Sequence, residues 1–273
     1  MNLIDQYIKG RRIPWSPGYA KFKHKLMVET LADPEMMRRF ATTAPLPAGF
    51  APHIDERAVE VPWCLARLGR SSGRVLDAGS VLNSDFILDQ PRLKSRDMVI
   101  WSLVIDQFLL RRNLSYVHGD FRAPILRPES FETIVCISTI EHVGLWPIPS
   151  PPFAESLAKP QPQKDLFGYR GALQTFKELL VPGGHLLVTV PFGKKEDQDW
   201  LQVFDEAGVD DIAASFGGQV AEKAFYRTSP EGWQVATPSE CADSRYYNFV
   251  KQPDRDPDMP AAARAVACLD LVK

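Results

Sequence analysis

Polar and acidic residues follow four apolar, strand-like segments of the sequence. These segments are "RVLDAG" (74–79), "DMVIWSLV" (97–104), "LSYVHGD" (114–120) and "FETIVCIS" (131–138). In an open parallel sheet, ligands bind beyond the carboxyl ends of the strands, so the residues at these ends are candidates for chemistry. They are Asp77, Gly79, Ser80 and Asn83, then Trp101 and Ser102, then Asp120, Phe121 and Arg122, and then Ser138, Thr139, Glu141 and His142.

The turn after the first segment favours a cofactor without phosphates. A dinucleotide needs a glycine-rich turn that opens a helix toward the pyrophosphate, and here Gly79 is the one glycine that remains. No G-x-x-x-x-G-K-[ST] phosphate loop occurs in the chain. The positive amino group of a phosphate-free cofactor instead favours an acidic residue at the first turn, where Asp77 stands.

The fourth segment ends in a candidate acid–base pair. The ordinary pKa of histidine suits a general base, and His142 follows the strand end directly. Glu141 is placed to orient that imidazole or to bind substrate. A histidine after a strand is also often an ordinary loop residue, and the sequence leaves both interpretations open.

The order of the segments predicts an α/β fold. A fifth apolar segment, 184–193, follows the helix-like "GALQTFKELL" and the stop signal "VPGG". Strands that alternate with helices or long crossings predict a doubly wound, mostly parallel sheet. Residues 221–237 and 263–273 are predicted as two further strands, which brings the total to seven.

Residues 1–70 are predicted as a helical extension that covers the substrate. Asp33 is a plausible cap for a helix with Pro34 at its first position. A second helix is predicted over 55–68, with Pro62 interrupting it. A Pro-rich insertion at 144–170 is predicted to be a loop that packs over something, because of its prolines and aromatic residues.

Composition narrows the classes of partner. The 273 residues are 45% hydrophobic and carry a net charge of −2, which gives no overall attraction to nucleic acid or to an anionic membrane. There is no apolar run of membrane-spanning length and no signal-peptide pattern, so we expect a cytoplasmic protein. The four cysteines are predicted to be buried free thiols, and no residue spacing predicts a metal site.

Taken in order, "RVLDAGS", "YVHGDFR", "FETIVCISTIEHVG" and "LLVPGGHLLVTVPFG" resemble the Rossmann-like class I S-adenosylmethionine-dependent methyltransferases. The resemblance covers roughly residues 70 to 195. It implies a methyltransferase domain over 71–273, a C-terminal antiparallel hairpin and S-adenosylmethionine as the cofactor.

The resemblance also implies roles for individual residues. Asp77 and Gly79 match the first loop, near the methionine part of the cofactor. Asp120 matches the acid that contacts the adenine amino group, with Phe121 beside the ring, and Ser138 lies beside the transfer channel. The full set implied for cofactor binding is Asp77, Gly79, Ser80, Asn83, Trp101, Ser102, Asp120, Phe121, Arg122 and Ser138.

Two departures from the family pattern stand out. Val81 and Asn83 replace later loop glycines, and Asn83 is expected to supply a positive φ that glycine usually provides. The acid that binds the ribose hydroxyls is missing from the end of the second strand. Ser102, Asp106 or neither is left to hold the ribose.

The leading hypothesis is O-methylation of a small polar molecule such as a sugar unit or secondary metabolite, with His142 as the base. No Asn-Pro-Pro-Tyr type motif follows the fourth strand, which argues against methylation of nucleic-acid bases. N-methylation of a small amine and a non-catalytic binding module are the alternatives, and the oligomeric state is open.

Aromatic residues with arginine suit stacking and ion pairing with a substrate, although each is also a common core or surface residue. The predicted substrate contacts are Trp146, Tyr169, Arg170 and Trp233.

Overall fold

A computed structural model describes residues 2–68, 73–105, 107–145, 164–248, 251–252 and 254–273. Trp146, Asp106 and most of the Pro-rich insertion lie outside these residues. None of the described helices is long and apolar enough to cross a membrane. All four cysteines are free and buried, which confirms the sequence prediction.

Four helices precede the sheet, two of which the sequence analysis named. They are α1 (Leu3–Lys9), α2 (Tyr19–Ala32), α3 (Pro34–Thr42) and α4 (Arg57–Leu68). Asp33 caps α3, since its Oδ1 accepts from the N–H groups of Glu35 at 2.8 Å and Met36 at 3.3 Å. The predicted interruption at Pro62 is wrong: α4 continues through it, and every residue from Ala58 to Leu68 is buried. Packing on all sides outweighs the one hydrogen bond that proline cannot make.

The predicted Rossmann-like sheet is confirmed. Its parallel strands are β1 (Val75–Ala78), β2 (Met98–Ser102), β3 (Leu114–His118), β4 (Phe131–Ile137) and β5 (Leu180–Pro191). They lie in the order β3-β2-β1-β4-β5. The strand order therefore reverses at β1 and β4, and the carboxyl ends of these two neighbours mark the switch point.

Small elements connect these strands. A short helix, α5 (Asp85–Leu88), follows β1, and a 3₁₀ turn, Ile140–His142, follows β4. Helix α6 (Gly168–Leu179) precedes β5. After β5 come a two-stranded hairpin, β6 (Glu196–Asp197) and β7 (Gln202–Val203), and then helix α7 (Glu206–Phe216). The sequence did not predict the hairpin, which carries Trp200 at its tip.

The C-terminal part contains three strands where two were predicted. Residues 221–237 divide into β8 (Gln219–Ser229) and β9 (Gly232–Ala236), because Gly232 at φ +114° lets the chain turn back. After a short helix, α8 (Pro238–Cys241), strand β10 (Ala265–Val272) inserts antiparallel between β5 and β8. The large sheet therefore has eight strands rather than seven.

Helices cover both faces of the sheet. Val75 and Ile100 point to the face covered by α2, α3 and α4, while their neighbours Leu76 and Val99 point to the face covered by α6 and α7. The first 68 residues are thus one layer of the hydrophobic core. Helix α4 lies across the carboxyl-end side of β4 and brings its polar residues to the strand ends.

Candidate functional site

The loop after β1 lies against the loop after β4, and a glycine makes this approach possible. Gly79 has a φ of +124°, and a Cβ at this position would lie 2.1 Å from Thr139 Oγ1. Its N–H donates to the carbonyl oxygen of Trp101 at 2.9 Å. An L side chain suits neither this backbone conformation nor this space. The close approach of the two loops at the switch point therefore depends on Gly79.

Asn83 does not supply the predicted positive φ, which falls on Ser80 at +72° instead. The buried Asn83 side chain donates to the Gln107 carbonyl at 2.9 Å, and its Oδ1 accepts from Tyr116 OH at 3.0 Å. The amide thus ties the first loop to β3 and to the segment after β2. This use of the side chain explains why asparagine stands there without a left-handed backbone.

Asp77 is fully buried at the end of β1 and is only partly satisfied. Its Oδ2 accepts from the Leu82 N–H at 2.8 Å, whereas its Oδ1 has no hydrogen-bond partner among the described residues. Burial raises the pKa of Asp77 to about 7, because the charged form loses its water. A free acceptor oxygen at the switch point fits a ligand that brings a donor group.

We expect the protein to lose stability as pH rises from about 4 to about 7, because of Asp77. Its folded pKa lies above its unfolded value, so the folded state binds more protons in this window and deprotonation favours unfolding. Asp77→Asn keeps an acceptor for the Leu82 N–H and removes the charge. It should raise the free energy of unfolding at pH 8 by about 2 kcal/mol and leave it nearly unchanged at pH 4.

Urea unfolding at the two pH values checks this expectation. Asp97→Asn is the matched control, because Asp97 is exposed and the substitution makes the same chemical change at the surface. Equal gains for the two variants at pH 8, or a pH-independent gain for Asp77→Asn, would contradict the assignment.

The ends of β2 and β3 turn their aromatic rings into the core. The Trp101 and Phe121 rings meet edge-to-face at 5.1 Å and both pack on Phe176 of α6. Both rings are therefore packed in the core, and a role of Trp101 and Phe121 in cofactor binding stays a prediction. The buried Trp101 indole suits a central strand, because such a strand is covered on both faces by apolar side chains.

Polar residues of the same two strand ends are already paired within the protein. The Asp120 carboxylate binds the Arg122 guanidinium through both oxygens, the shortest contact being 2.6 Å, and these bonds hold the pKa of Asp120 below its ordinary value. Ser102 Oγ accepts from the Val104 N–H at 3.2 Å. The pairing engages both Asp120 oxygens, while the side chain stays 33% exposed.

A buried carboxylate that the sequence analysis missed lies at the ends of β4 and β5. Glu60 of α4 is fully buried, and its Oε1 accepts from Ser138 Oγ at 2.5 Å and from Thr189 Oγ1 at 2.7 Å. Its Oε2 binds the Arg57 guanidinium. Ser138 itself has a φ of +39°. An acid inside the apolar run "VEVPWC" was the available signal, since buried acids require partners.

Glu141 is a buried acid with one free oxygen. Its side chain is 1% exposed, and Oε2 has no hydrogen-bond partner among the described residues. Burial holds the pKa of Glu141 well above its ordinary value, and the nearby Glu60 carboxylate raises it further. The buried site therefore favours the protonated form of the Glu141 carboxyl group more than water does.

His142 is a neutral imidazole with a defined tautomer. Its Nδ1 lies 2.7 Å from the Trp200 carbonyl oxygen, which only accepts, so Nδ1 carries the proton and Nε2 keeps a lone pair. The ring stacks on the Trp200 indole at 5.3 Å, and Nε2 lies 3.9 Å from Glu141 Oε1. Burial lowers the pKa of His142 to about 4. The side chain remains 35% exposed, so a ligand can reach it.

The three described residues among the predicted substrate contacts serve packing elsewhere. Tyr169 and Arg170 of α6 both bind the Asp211 carboxylate on α7, with Arg170 Nη2 at 2.6 Å from Asp211 Oδ1. Trp233 of β9 is fully buried, and its Nε1 donates to the Ile54 carbonyl at 2.8 Å. The prediction for Trp146 lies outside the described residues.

Trp233→Phe separates a packing role from a substrate role. We expect the variant to lose about 1–3 kcal/mol of unfolding free energy, because the Ile54 carbonyl is left without its donor and the indole volume is lost. Cofactor affinity and substrate KM should not change. Chemical denaturation and a binding titration measure the two effects, and a raised KM with unchanged stability would return Trp233 to the substrate site.

Among the described residues, no group of three His, Cys, Asp or Glu side chains is arranged to hold a metal ion. The chain matches no protein-family model, and no curated protein sequence is similar to it.

Solved structures with related architecture come from several kinds of protein. The N-methyltransferase NodS from Bradyrhizobium japonicum, in complex with S-adenosyl-L-homocysteine, is 12% identical with a TM-score of 0.44 over 91% of this chain and 97% of that one. The 1,6-didemethyltoxoflavin-N1-methyltransferase from Burkholderia thailandensis is 12% identical with a TM-score of 0.46 over 100% and 91%. The [4+2]-cyclase SpnF is 12% identical with a TM-score of 0.49 over 77% and 75%. These similarities are too distant to assign an activity to this chain, and the fold is assigned from its own strand order and strand directions.

Proposed function

We propose that this protein is an S-adenosylmethionine-dependent methyltransferase that methylates a hydroxyl group of a small polar molecule. One observation carries the proposal: the parallel order β3-β2-β1-β4-β5 closes with antiparallel β10, and Gly79 joins the loops of β1 and β4 at its switch point. This is the fold that the sequence resembles, and the loop after β1 lies where we propose that the cofactor binds.

The residues present fit the methionine half of the cofactor. A Cβ at Gly79 would fill the narrow gap between the loops after β1 and β4. Asp77 Oδ1 is a free acceptor in the same region. We therefore expect Asp77, Gly79 and Ser80 to hold this half. On the adenine side, Asp120 fits once Arg122 turns away, and Ser102 stays the described candidate for the ribose.

The chemistry follows from the positions of His142 and its neighbours. When bound, the cofactor supplies a methyl group on a sulfonium, which transfers by in-line displacement. His142 Nε2 takes the proton of the acceptor hydroxyl, while the Trp200 carbonyl holds Nδ1–H and fixes the ring. Glu141 lies beside Nε2 and orients the acceptor. We expect residues 1–70 to line one side of the substrate site, with α4 nearest to the strand ends.

His142→Ala tests this assignment. We expect kcat to fall by about 10²–10⁴-fold, because no other group would accept the hydroxyl proton. His185→Ala is the control, since it removes an imidazole from the amino-end half of β5, away from the carboxyl ends of the strands, and should leave kcat unchanged. Because the pKa of His142 is about 4, wild-type kcat/KM should stay flat from pH 8 to pH 6 and fall only below about pH 5. An unchanged kcat in His142→Ala would remove the base and favour transfer to a neutral amine.

A non-catalytic binding module is the second candidate, and the Asp120–Arg122 pair favours it. The pair occupies the carboxylate on which the adenine contact depends. Under this alternative, the protein would not bind S-adenosylhomocysteine, and no heat would be seen when that product is titrated into it.

A further inference from the structure

We propose that Glu56, Glu60 and Glu141, here named the acidic wall, bind a cationic nitrogen on the methyl acceptor. The inference rests on the proposed function and adds a substrate class to it: small molecules that carry an ammonium or amidine-like group. It concerns acceptor recognition and leaves open which atom of the acceptor is methylated.

The acidic wall is assembled from two elements that meet at the ends of β4 and β5. Glu56 lies directly before α4, Glu60 lies on α4, and Glu141 lies on the 3₁₀ turn after β4. All three side chains are at least nine-tenths buried. The exposed fraction is 0% for Glu60, 1% for Glu141 and 10% for Glu56. The wall therefore faces the strand ends and not the bulk solvent.

Charge in the acidic wall is not balanced within the protein. Arg57 is the cation that pairs with it among the described residues, at 3.8 Å from Glu56 Oε1 and in direct contact with Glu60 Oε2. The nearby Lys23 is bound by Asp55 at 2.6 Å. Three carboxyl groups thus share one guanidinium. Burying carboxyl groups without hydrogen-bond or ion-pair partners destabilises the folded protein. Such groups occur at functional sites, where a ligand supplies the missing partner.

Glu141 supplies the second, independent sign of a ligand. Its Oε2 is buried and has no hydrogen-bond partner among the described residues, whereas both Glu60 oxygens are bonded. The neighbouring Nε2 of His142 carries a lone pair and donates nothing. Glu141 Oε2 and His142 Nε2 are therefore two neighbouring atoms that can accept a hydrogen bond from a ligand.

Aromatic side chains line the approach to these acceptors. Trp200 stacks on His142, and the Tyr246 ring meets the Trp200 indole edge-to-face at 6.1 Å. Burial raises the pKa of Tyr246 well above its ordinary value, and the charges of Glu56 and Glu141 raise it further. Aromatic faces beside carboxylates form a common setting for ammonium groups, because both attract positive charge.

A bound cation would change the ionisation of the acidic wall. In the empty site, burial raises the pKa of Glu56 to about 7 and that of Glu141 well above its ordinary value. A bound cation would reverse this effect by favouring the charged carboxylates, so binding should release protons.

A pairwise titration tests the proposal without knowledge of the natural substrate. Protein saturated with S-adenosylhomocysteine is titrated calorimetrically with benzylamine, phenethylamine and 3-phenylpropylamine, and with the three alcohols of matched shape. We expect at least one amine to bind about tenfold more tightly than its alcohol. Repeating the titration in two buffers of different ionisation enthalpy should show proton release with the amine.

Glu141→Gln is the decisive variant, with Glu178→Gln as the matched control. Glutamine has nearly the same shape as the glutamate side chain and carries no charge to bury, so the variant should fold, and its thermal midpoint checks this. We expect it to lose the preference for the amine and the proton release, while S-adenosylhomocysteine affinity stays within about twofold. Glu178 is exposed on α6, and its variant should behave as wild type.

Three outcomes would overturn the proposal. If S-adenosylhomocysteine binds but no amine exceeds its alcohol, the inference fails and the methyltransferase assignment stands. If Glu141→Gln weakens S-adenosylhomocysteine as strongly as the amine, the acidic wall serves the ammonium group of the cofactor instead. If S-adenosylhomocysteine does not bind, the proposed function fails. Titration of the free protein with the amines and alcohols then tests the acidic wall, and equal binding of the two overturns its role.

Discussion

Gly79→Ala should abolish detectable binding of S-adenosylhomocysteine, with an affinity loss of at least about 100-fold. The new Cβ would lie 2.1 Å from Thr139 Oγ1 and 2.9 Å from Thr139 Cβ. The threonine cannot turn away cheaply, because its hydroxyl donates to the Ile137 carbonyl at 2.8 Å. A φ of +124° adds about 1–3 kcal/mol of backbone strain for alanine. The loop must therefore move away from the place where the cofactor is proposed to bind.

A matched glycine separates this effect from general strain. Gly49 also has a positive φ, at +75°, but a Cβ there would meet nothing within 4 Å. Gly49→Ala should lose about 1 kcal/mol of stability and keep full affinity. Calorimetric titration with thermal unfolding on both variants distinguishes lost binding from lost folding. A folded Gly79→Ala protein that binds as tightly as wild type would show that the first loop is not the cofactor loop.

Glu60→Ala should lower the free energy of unfolding by about 3 kcal/mol. The change leaves the Ser138 and Thr189 hydroxyls without their acceptor and leaves the Arg57 guanidinium with Glu56 alone, at 3.8 Å. Relief of repulsion with Glu141 offsets part of this cost, which places the loss at the lower end for a broken buried pair.

Urea unfolding measures the loss, and two further variants interpret it. Glu60→Gln keeps an acceptor oxygen for both hydroxyls and should lose about half as much. Glu178→Ala makes the same truncation on the exposed side of α6 and should lose less than about 0.5 kcal/mol. A Glu60→Ala loss as small as that of the surface variant would show that the hydrogen bonds of Glu60 do not hold α4 to β4 and β5.

The fold could be predicted from local patterns because its strands are buried on both faces. Apolar, β-branched segments such as 131–138 stand out in the sequence, and their order alone predicts a parallel sheet. The division of 221–237 into two strands was missed because Pro230 and Glu231 give a weaker turn signal than Asn-Gly. The helix over 55–68 was predicted, but its uninterrupted course through Pro62 was missed because it depends on tertiary packing.

The candidate site was predictable in part. Asp77, Gly79 and Ser138 follow strands, and strand ends can be located from the sequence. Glu60 and Arg57 reach the same place from α4, and no local pattern says that a distant helix crosses the ends of β4 and β5. Tyr169 and Trp233 show the reverse problem, since an aromatic residue looks the same in the sequence whether it contacts a substrate or the core.

The central claim is that a nucleoside cofactor binds at the carboxyl ends of β1 and β4. The most direct measurement is a crystal structure of the protein grown with saturating S-adenosylhomocysteine. We predict density for the product against residues 77–80 and 138–142, with the methionine half beside Asp77. A protein that shows no density there at saturation, or that binds the product on another surface, would contradict the account.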